Sequence, residues 1–325
     1  MAVYTQLDDA ALAELVAAFD LGRLVSCKGI AEGISNSNWL VDTAKGDRAA
    51  RYILTMYETR TEVSDLPFFL GLMDHLAERD CPVPRTIHDT NGAAYRLLNG
   101  KAVALIEFLP GVSLSRPSPA QARVVGAALA QIHLAAADFA QTRANGMGPA
   151  EWQRLAAACG TDGLGSISPE LAELVARELP AVIAQWPQDL PRSVIHADLF
   201  PDNVLMLGDR VSGLIDFYFA CTDTTAYDVA VTHAAWCFDA DGTGFDPELS
   251  AALLEGYEAV RPLQAAERAA LPLLARGAAI RFTMTRAYDW LNTPDGALVT
   301  RKDPMAFARR LAFYADPANA GVFGG

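Results

Sequence analysis

Basic side chains are in deficit. Lys and Arg number 26 against 39 Asp and Glu, a formal charge of −13 over 325 residues. That argues against a nucleic-acid partner, whose phosphates need a basic face. Cysteine is sparse too. The five cysteines are scattered, odd in number and form no Cys-x-x-Cys, which points to a reduced, cytoplasmic chain without a zinc site. No apolar run approaches a membrane span, and the first residues lack the basic stretch and apolar core of a signal peptide. Internal repeats and low-complexity segments are absent, and no exposed apolar face marks an interface or an oligomeric state. What remains is an ordered chain, 51% hydrophobic and 20% charged, long enough for two lobes with cores of their own.

The stretch that organises the chain runs from 194 to 217. His196 and Asp198 stand two apart, Asn203 follows by five, and Asp216 closes the apolar run Val211 to Ile215 just before Phe217. Apolar runs flank each polar cluster, so the polar residues read as strand ends opening onto a loop. A single Asp or Asn here would fit an ordinary hairpin. The joint layout, His-x-Asp-x4-Asn followed by Asp-Phe, is the one that phosphoryl transfer from ATP uses. A hydroxyl attacking a γ-phosphate needs a carboxylate to orient it and take its proton, and Asp198 is placed for that. The charge on the triphosphate calls for Mg²⁺, a hard cation suited by a carboxylate and an amide oxygen, here Asp216 and Asn203. His196 joins the catalytic set by shaping the loop through hydrogen bonds.

The wording His-Ala-Asp-Leu-Phe-Pro-Asp-Asn-Val-Leu, followed by Gly-Leu-Ile-Asp-Phe-Tyr-Phe-Ala, resembles the aminoglycoside phosphotransferase and choline kinase superfamily, distant relatives of protein kinases. Within it the chain is most similar to the bacterial homoserine kinases. That similarity takes in Gly-Ile-Ser-Asn-Ser-Asn (33–38), Leu-Pro-Phe-Phe-Leu-Gly-Leu-Met (66–73) and Pro-Val-Pro (82–84). The resemblance implies an α+β, protein-kinase-like bilobal fold: a small antiparallel-sheet N-terminal lobe that binds nucleotide, 1–109, and a larger, mostly helical lobe for catalysis and substrate, 110–325. It implies ATP and Mg²⁺ as cofactors, and L-homoserine as the acceptor, phosphorylated for threonine synthesis. It also implies that Asp228, in Tyr227-Asp228-Val-Ala230, supports the catalytic loop by accepting its backbone N–H groups.

In chain order, residues 8 to 19 place Leu12, Leu15, Val16 and Phe19 on one helical face. Strands are expected at 24–30, 39–43 and 51–57, and a helix at 66–79. Short strands at 86–88 and 93–97 read as a hairpin turning at Asn91-Gly92, and a longer strand runs from 101 to 109. The small, polar loop Gly33, Ser35, Asn36, Ser37 is a candidate phosphate cradle. It carries one glycine rather than three, so an ordinary hairpin explains it as well. Glu107 and Leu109, just before the Pro110-Gly111 boundary, are candidates to read adenine through their backbone. Protein kinases carry a Lys on the third strand; here that place holds Thr55, with Arg51 four residues earlier. Phe200 stands where they carry a Lys beside the γ-phosphate.

Helices are expected from 118 to 137, from 168 to 186, and at about 247–260, 265–290 and 304–315, with His133 as a core histidine. Homoserine is a zwitterion, so its site needs a group for the ammonium and an Arg, His or amide for the carboxylate. Tyr218, Asp223, His233 and Arg281 are the candidates; Arg281 and Arg286 read equally well as solvated helix residues. Two alternatives stay open. One is another small-molecule kinase, for an aminoglycoside, choline or methylthioribose, to which Asp239, Asp241, Asp246 and Glu248 would offer a partial acidic cluster. The other is a nucleotide-binding protein without catalysis, suggested by the missing Lys.

Overall fold

A computed structural model describes residues 8–30, 36–58, 61–294 and 301–324. The chain divides into two compact units, Met1–Pro110 and Gly111–Gly325. The first is built on an antiparallel sheet. Helix α1 (Asp9–Ala18) starts at Asp8, whose carboxylate accepts the Ala11 N–H at 3.4 Å. Its apolar face buries Leu12, Leu15, Val16 and Phe19 against Trp39, Val41, Leu54, Met56, Val103 and Leu105 of the sheet. Burying each such side chain contributes roughly 1.5–3 kcal/mol. Strands β1 (Arg23–Ile30), β2 (Ser37–Lys45) and β3 (Arg48–Met56) pair in sequence. Along β2, buried positions alternate with half-buried ones, the period of a strand with one face on the core.

Helix α2 (Leu66–Ala77) buries Phe69, Leu72, Met73 and Leu76. One expectation fails here. Strands β4 (Thr86–Ile87) and β5 (Arg96–Leu98) do not form a hairpin with each other; both pair with β6 (Lys101–Glu107), and the sheet order is β1-β2-β3-β6-β4. The chain does turn at Asn91-Gly92, because the Asp89 carboxylate accepts the Asn91 and Ala93 N–H groups, each at 2.8 Å. That side-chain bracket directs both flanks to the long apolar strand β6 instead.

The second unit is mostly helical. Helix α3 (Pro119–Ala135) opens on a reciprocal cap, Ser118 with Gln121. There follow α4 (Pro149–Ile167), α5 (Pro169–Ala184), β7 (Arg192–Ile195), β8 (Val204–Leu207), β9 (Arg210–Leu214), β10 (Cys221–Thr224), α6 (Thr225–Trp236), α7 (Pro247–Val260), α8 (Ala265–Asn292) and α9 (Met305–Ala315). Strand β7 pairs antiparallel with β10, and β8 with β9. Helices α4 and α6 were not expected from the sequence. α6 is buried along its whole length, so it carries no polar stripe to betray a helical period. α4 contains Gly160 at φ 66°, which interrupts its pattern.

Helices α3 and α7 meet backbone to backbone. A Cβ on Gly126 would collide with the Leu253 carbonyl, and one on Gly256 with the Arg123 carbonyl. Gly256→Ala should therefore push the pair apart and cost about 1–3 kcal/mol of stability. Urea denaturation measures this; an unchanged midpoint would mean the helices separate freely.

Candidate active site

Strand β7 delivers the chain into a loop, 196–203, in which side chains hold the backbone groups of the first four residues. Asp228, at the start of α6 and fully buried, accepts the His196 N–H at 2.7 Å and the Ala197 N–H at 2.8 Å. These bonds hold Ala197 at φ 62°, a left-handed conformation that a non-glycine residue adopts only under constraint. Arg281 donates to the Ala197 carbonyl, and the Trp236 indole N–H donates to the Leu199 carbonyl at 2.9 Å. The Asp198 carbonyl takes the Phe200 N–H and the Asn203 side-chain amide, both at 2.8 Å.

His196 ties this loop to the one carrying Asp216. Its Nδ1 accepts the Asp198 N–H at 3.2 Å, so Nε2 holds the proton and donates to the Ile215 carbonyl at 2.9 Å. Complete burial pushes its pKa down, against the pull of the Asp228 and Asp198 charges, and keeps the ring neutral. Both nitrogens are committed, so His196 positions rather than exchanges protons. The Ile215 N–H donates to the Asn203 carbonyl at 3.0 Å, which sets Asn203 beside the Asp216 segment. Asp216 itself sits at φ 65°, ψ 58°, left-handed again.

Behind Asp228 runs a buried polar chain. Arg261 donates to the Tyr257 hydroxyl oxygen at 3.1 Å, Tyr257 donates to His133 Nδ1 at 2.8 Å, and His133 Nε2 donates to Asp228 at 3.0 Å. Arg261 is paired in turn with Glu267 at 2.8 Å. Burial alone would push Asp228 up; the hydrogen bond from His133, the nearby imidazoles and the His196 N–H outweigh it and hold Asp228 below the ordinary carboxylate value.

The three carboxylates at the centre interact unfavourably. Burial pushes Asp198 up, opposed by Arg281 with its Nη2 at 3.7 Å from Asp198 Oδ1. Asp216 reaches solvent, yet the chain around it removes enough water, and Asp198 and Asp202 add enough negative charge, to push it up to about 7. The residues fit a divalent cation. The Asn203 amide N–H₂ faces Asp198, which leaves its oxygen for a metal, and Mg²⁺ completes its shell with water and phosphate rather than with an all-protein cage. No group of three or more His, Cys, Asp or Glu that could hold a metal alone occurs among the described residues.

Several expected site residues lie elsewhere. His233 is buried with Nδ1 at 2.6 Å from the Tyr314 hydroxyl and Nε2 at 2.8 Å from Ser250 Oγ, and burial drives its pKa down to about 3. It is a core histidine, not a substrate ligand. Asp223 accepts from Asn145 at 2.7 Å and from the Thr224 N–H at 2.7 Å, so it too is structural. Arg281 is 2% exposed, stacks over Phe219 and Phe282, and is spent on the catalytic loop rather than on a substrate carboxylate. Tyr218 remains next to the site, its N–H on the Asp216 carboxylate. Asp239 and Asp241 close the turn at Thr243, and Asp246 caps α7, so this acidic loop serves its own backbone.

In the first unit, Gly33 and Ser35 lie outside the described residues. Asn36 and Ser37 are buried and turned inward: the Asn36 side-chain amide oxygen Oδ1 accepts the Glu58 N–H, and Ser37 donates to the Glu58 carboxylate at 2.9 Å. Their side chains are thus not an open phosphate cradle. Thr55 donates to Asn38 across the β2–β3 pair at 2.8 Å, and Arg51 forms a surface pair with Asp42. Glu107 accepts the Arg85 N–H through its side chain, while its carbonyl edge and Leu109 lie at the end of β6.

The sequence profile of the phosphotransferase enzyme family matches residues 26–263. The chain is 52% identical to a homoserine kinase of Acidiphilium cryptum, covering 100% of each protein, and 51% identical to one of Methylobacterium radiotolerans, covering 100% of this chain and 99% of that one. Among solved structures it resembles a spectinomycin phosphotransferase in complex with ADP and spectinomycin (TM-score 0.69, 15% identity, 97% of each chain). It also resembles a choline kinase of Cryptosporidium parvum (TM-score 0.66, 14% identity, 98% of this chain and 100% of that one). At such identities these two establish the fold, a kinase-like sheet lobe followed by a helical part.

Two outcomes follow from the geometry. Asp228→Asn puts an amide donor against converging N–H groups and should cost about 3 kcal/mol, read by chemical denaturation; a loss under 1 kcal/mol would mean the loop does not depend on this carboxylate. Asp216 gives a pH signature. In cation-free protein its folded pKa of about 7 lies above the ~3.9 of an unfolded Asp. The folded state therefore holds a proton that the unfolded state releases, and this contribution, complete below pH ~4, is lost as pH rises through about 7. Melting curves in EDTA should show that loss in the wild type and a flatter profile in Asp216→Asn; parallel profiles would contradict it.

Proposed function

The chain belongs to the phosphotransferase enzyme family, and from that membership we propose that it transfers the γ-phosphoryl group of ATP to the hydroxyl of L-homoserine, giving O-phospho-L-homoserine for threonine synthesis. It is a phosphotransferase that uses ATP and a small alcohol acceptor. One observation carries the assignment: identity of about half the residues to homoserine kinases runs end to end, across the loop that holds Asp198, Asn203 and Asp216.

The chemistry assigns each residue a task. The acceptor oxygen forms a bond to the γ-phosphorus as the bridge to ADP breaks. Asp198 orients that hydroxyl and receives its proton, and its raised proton affinity suits it as a base. Arg281 and the Asn203 amide face the Asp198 carboxylate, while the neutral His196 holds its backbone N–H. Asp216 and the Asn203 oxygen would hold Mg²⁺, which supplies neutralisation of the phosphate oxygens. Residues 1–109 serve as the nucleotide-binding lobe, with the Glu107 carbonyl and Leu109 N–H toward the purine, and residues 110–325 as the catalytic and substrate-binding lobe. Five free cysteines suit a cytoplasmic setting. The acidic loop at 239–248, engaged with its own backbone, gives no support to a polycationic acceptor.

The test is ATP consumption with Mg²⁺ against L-homoserine, L-serine, L-threonine, choline, methylthioribose and kanamycin. Turnover should be confined to homoserine, and Asp198→Asn should lower kcat by about 10²–10⁴-fold with little change in the KM for ATP. Preference for another acceptor would discard the threonine-pathway assignment. Undiminished turnover by the variant would remove Asp198 as base.

A further inference from the structure

Two cations beside this loop form no direct ion pair among the described residues. Arg286, on α8, is half-buried. Its guanidinium lies 4.5 Å from the centroid of the Phe307 ring, and its one hydrogen bond, at 3.2 Å, goes to the Asp303 carbonyl. Lys302, exposed, has its Nζ 5.9 Å from the Phe200 ring. Among the described residues neither pairs with a carboxylate. Other half-buried arginines of this unit do: Arg261 with Glu267 at 2.8 Å, Arg268 with Glu258 and Arg276 with Glu178, both at 2.6 Å. A partly buried cation without a partner is costly. Burial, reinforced by Arg310 across the same Phe307 ring, lowers the pKa of Arg286 to about 10.

The position of this pair is informative. Arg286 is within electrostatic reach of Asp303, Asp198 and Asp202, and Lys302 of Asp198 and Asp216. Both stand on a wall of rings: Phe200 lies 4.9 Å from Phe282 and 5.9 Å from Phe307, and Phe282 lies 4.8 Å from Phe307. Phe200 is two residues from Asp198, so this ring wall adjoins the loop that carries the proposed base. A guanidinium presents a planar fork that matches a carboxylate, and a lysine beside it adds a point charge.

We propose that Arg286 and Lys302 bind the carboxylate of the acceptor, and so select small hydroxyl-bearing amino acids over neutral or cationic alcohols. This rests on the function proposed above. An anion at this place has two sources, the acceptor carboxylate or the phosphoryl group being transferred, and the kinetics separate them.

The measurement is steady-state kinetics of wild type, Arg286→Gln, Arg286→Lys and Lys302→Ala with L-homoserine and with 3-amino-1-propanol, its carboxylate-free counterpart. Arg286→Gln should raise the KM for homoserine on the order of 30-fold, with the KM for ATP and the melting temperature little changed. Arg286→Lys should recover part of the loss. Lys302→Ala, at an exposed position that folding does not need, should raise the same KM several-fold, less so at high salt. Turnover of 3-amino-1-propanol, low from the start, should not fall further. An unchanged homoserine KM in both Arg286→Gln and Lys302→Ala would overturn the proposal. So would an equal loss with the carboxylate-free alcohol, or an effect on the KM for ATP instead, which would assign the pair to the phosphoryl group. A wild type inactive on homoserine would fail the functional assignment itself and take this site with it.

Discussion

Everything at the site depends on one buried carboxylate. Asp228 accepts two successive backbone N–H groups and a histidine N–H, and in doing so holds Ala197 in a conformation that costs of order 1–3 kcal/mol when unsupported. Only from that strained residue does Asp198 project as it does. Asp228 is in turn aimed by His133, which is aimed by Tyr257. Tyr257 follows Gly256, the residue at which α7 touches α3. The closeness of two helices thus sets a hydroxyl, the hydroxyl sets an imidazole, and the imidazole sets the carboxylate that shapes the loop. Packing and chemistry are here one set of contacts.

Side chains from α6 and α8 brace the loop, and its charges are left unresolved. Backbone groups of His196, Ala197 and Leu199 are bonded to Asp228, Arg281 and Trp236 from distant elements, and His196, being neutral, bridges two loops without adding charge. Asp202 meanwhile raises the proton affinity of Asp198, and both raise that of Asp216. A fold selected for stability alone would not gather them. Their repulsion is a reserve of free energy that a bound cation would release, and a braced backbone would keep that release from being spent on rearrangement.

The parts legible in the sequence were those whose spacing is dictated by chemistry or by one-sided burial. The spacing singled out Asp198, Asn203 and Asp216, which two adjoining loops bring together, and α1, α2 and β2 follow from apolar periodicity. What was not legible depends on partners distant in sequence. α6 is buried all round and shows no period. β4 and β5 both chose β6 because Asp89 redirects the turn between them. Arg281 and His233 look like ligands by residue type, and only their burial reveals that one braces a loop and the other fills a core.

The aromatic ring at Phe200 changes how the site can be charged. Where protein kinases carry a lysine beside the phosphate, this chain has a ring packed against Phe282 and Phe307. Positive charge is not lost from the neighbourhood; it returns on α8 and just before α9, as Arg286 and Lys302, each against a ring of that wall. A lysine on the loop would be fixed relative to Asp198 and would serve any acceptor. Cations carried by separate elements instead define a second point at a distance from the base. Two points, the proposed base and the proposed anion pocket, are the least that can measure the length of a short acceptor with a hydroxyl at one end and a carboxylate at the other.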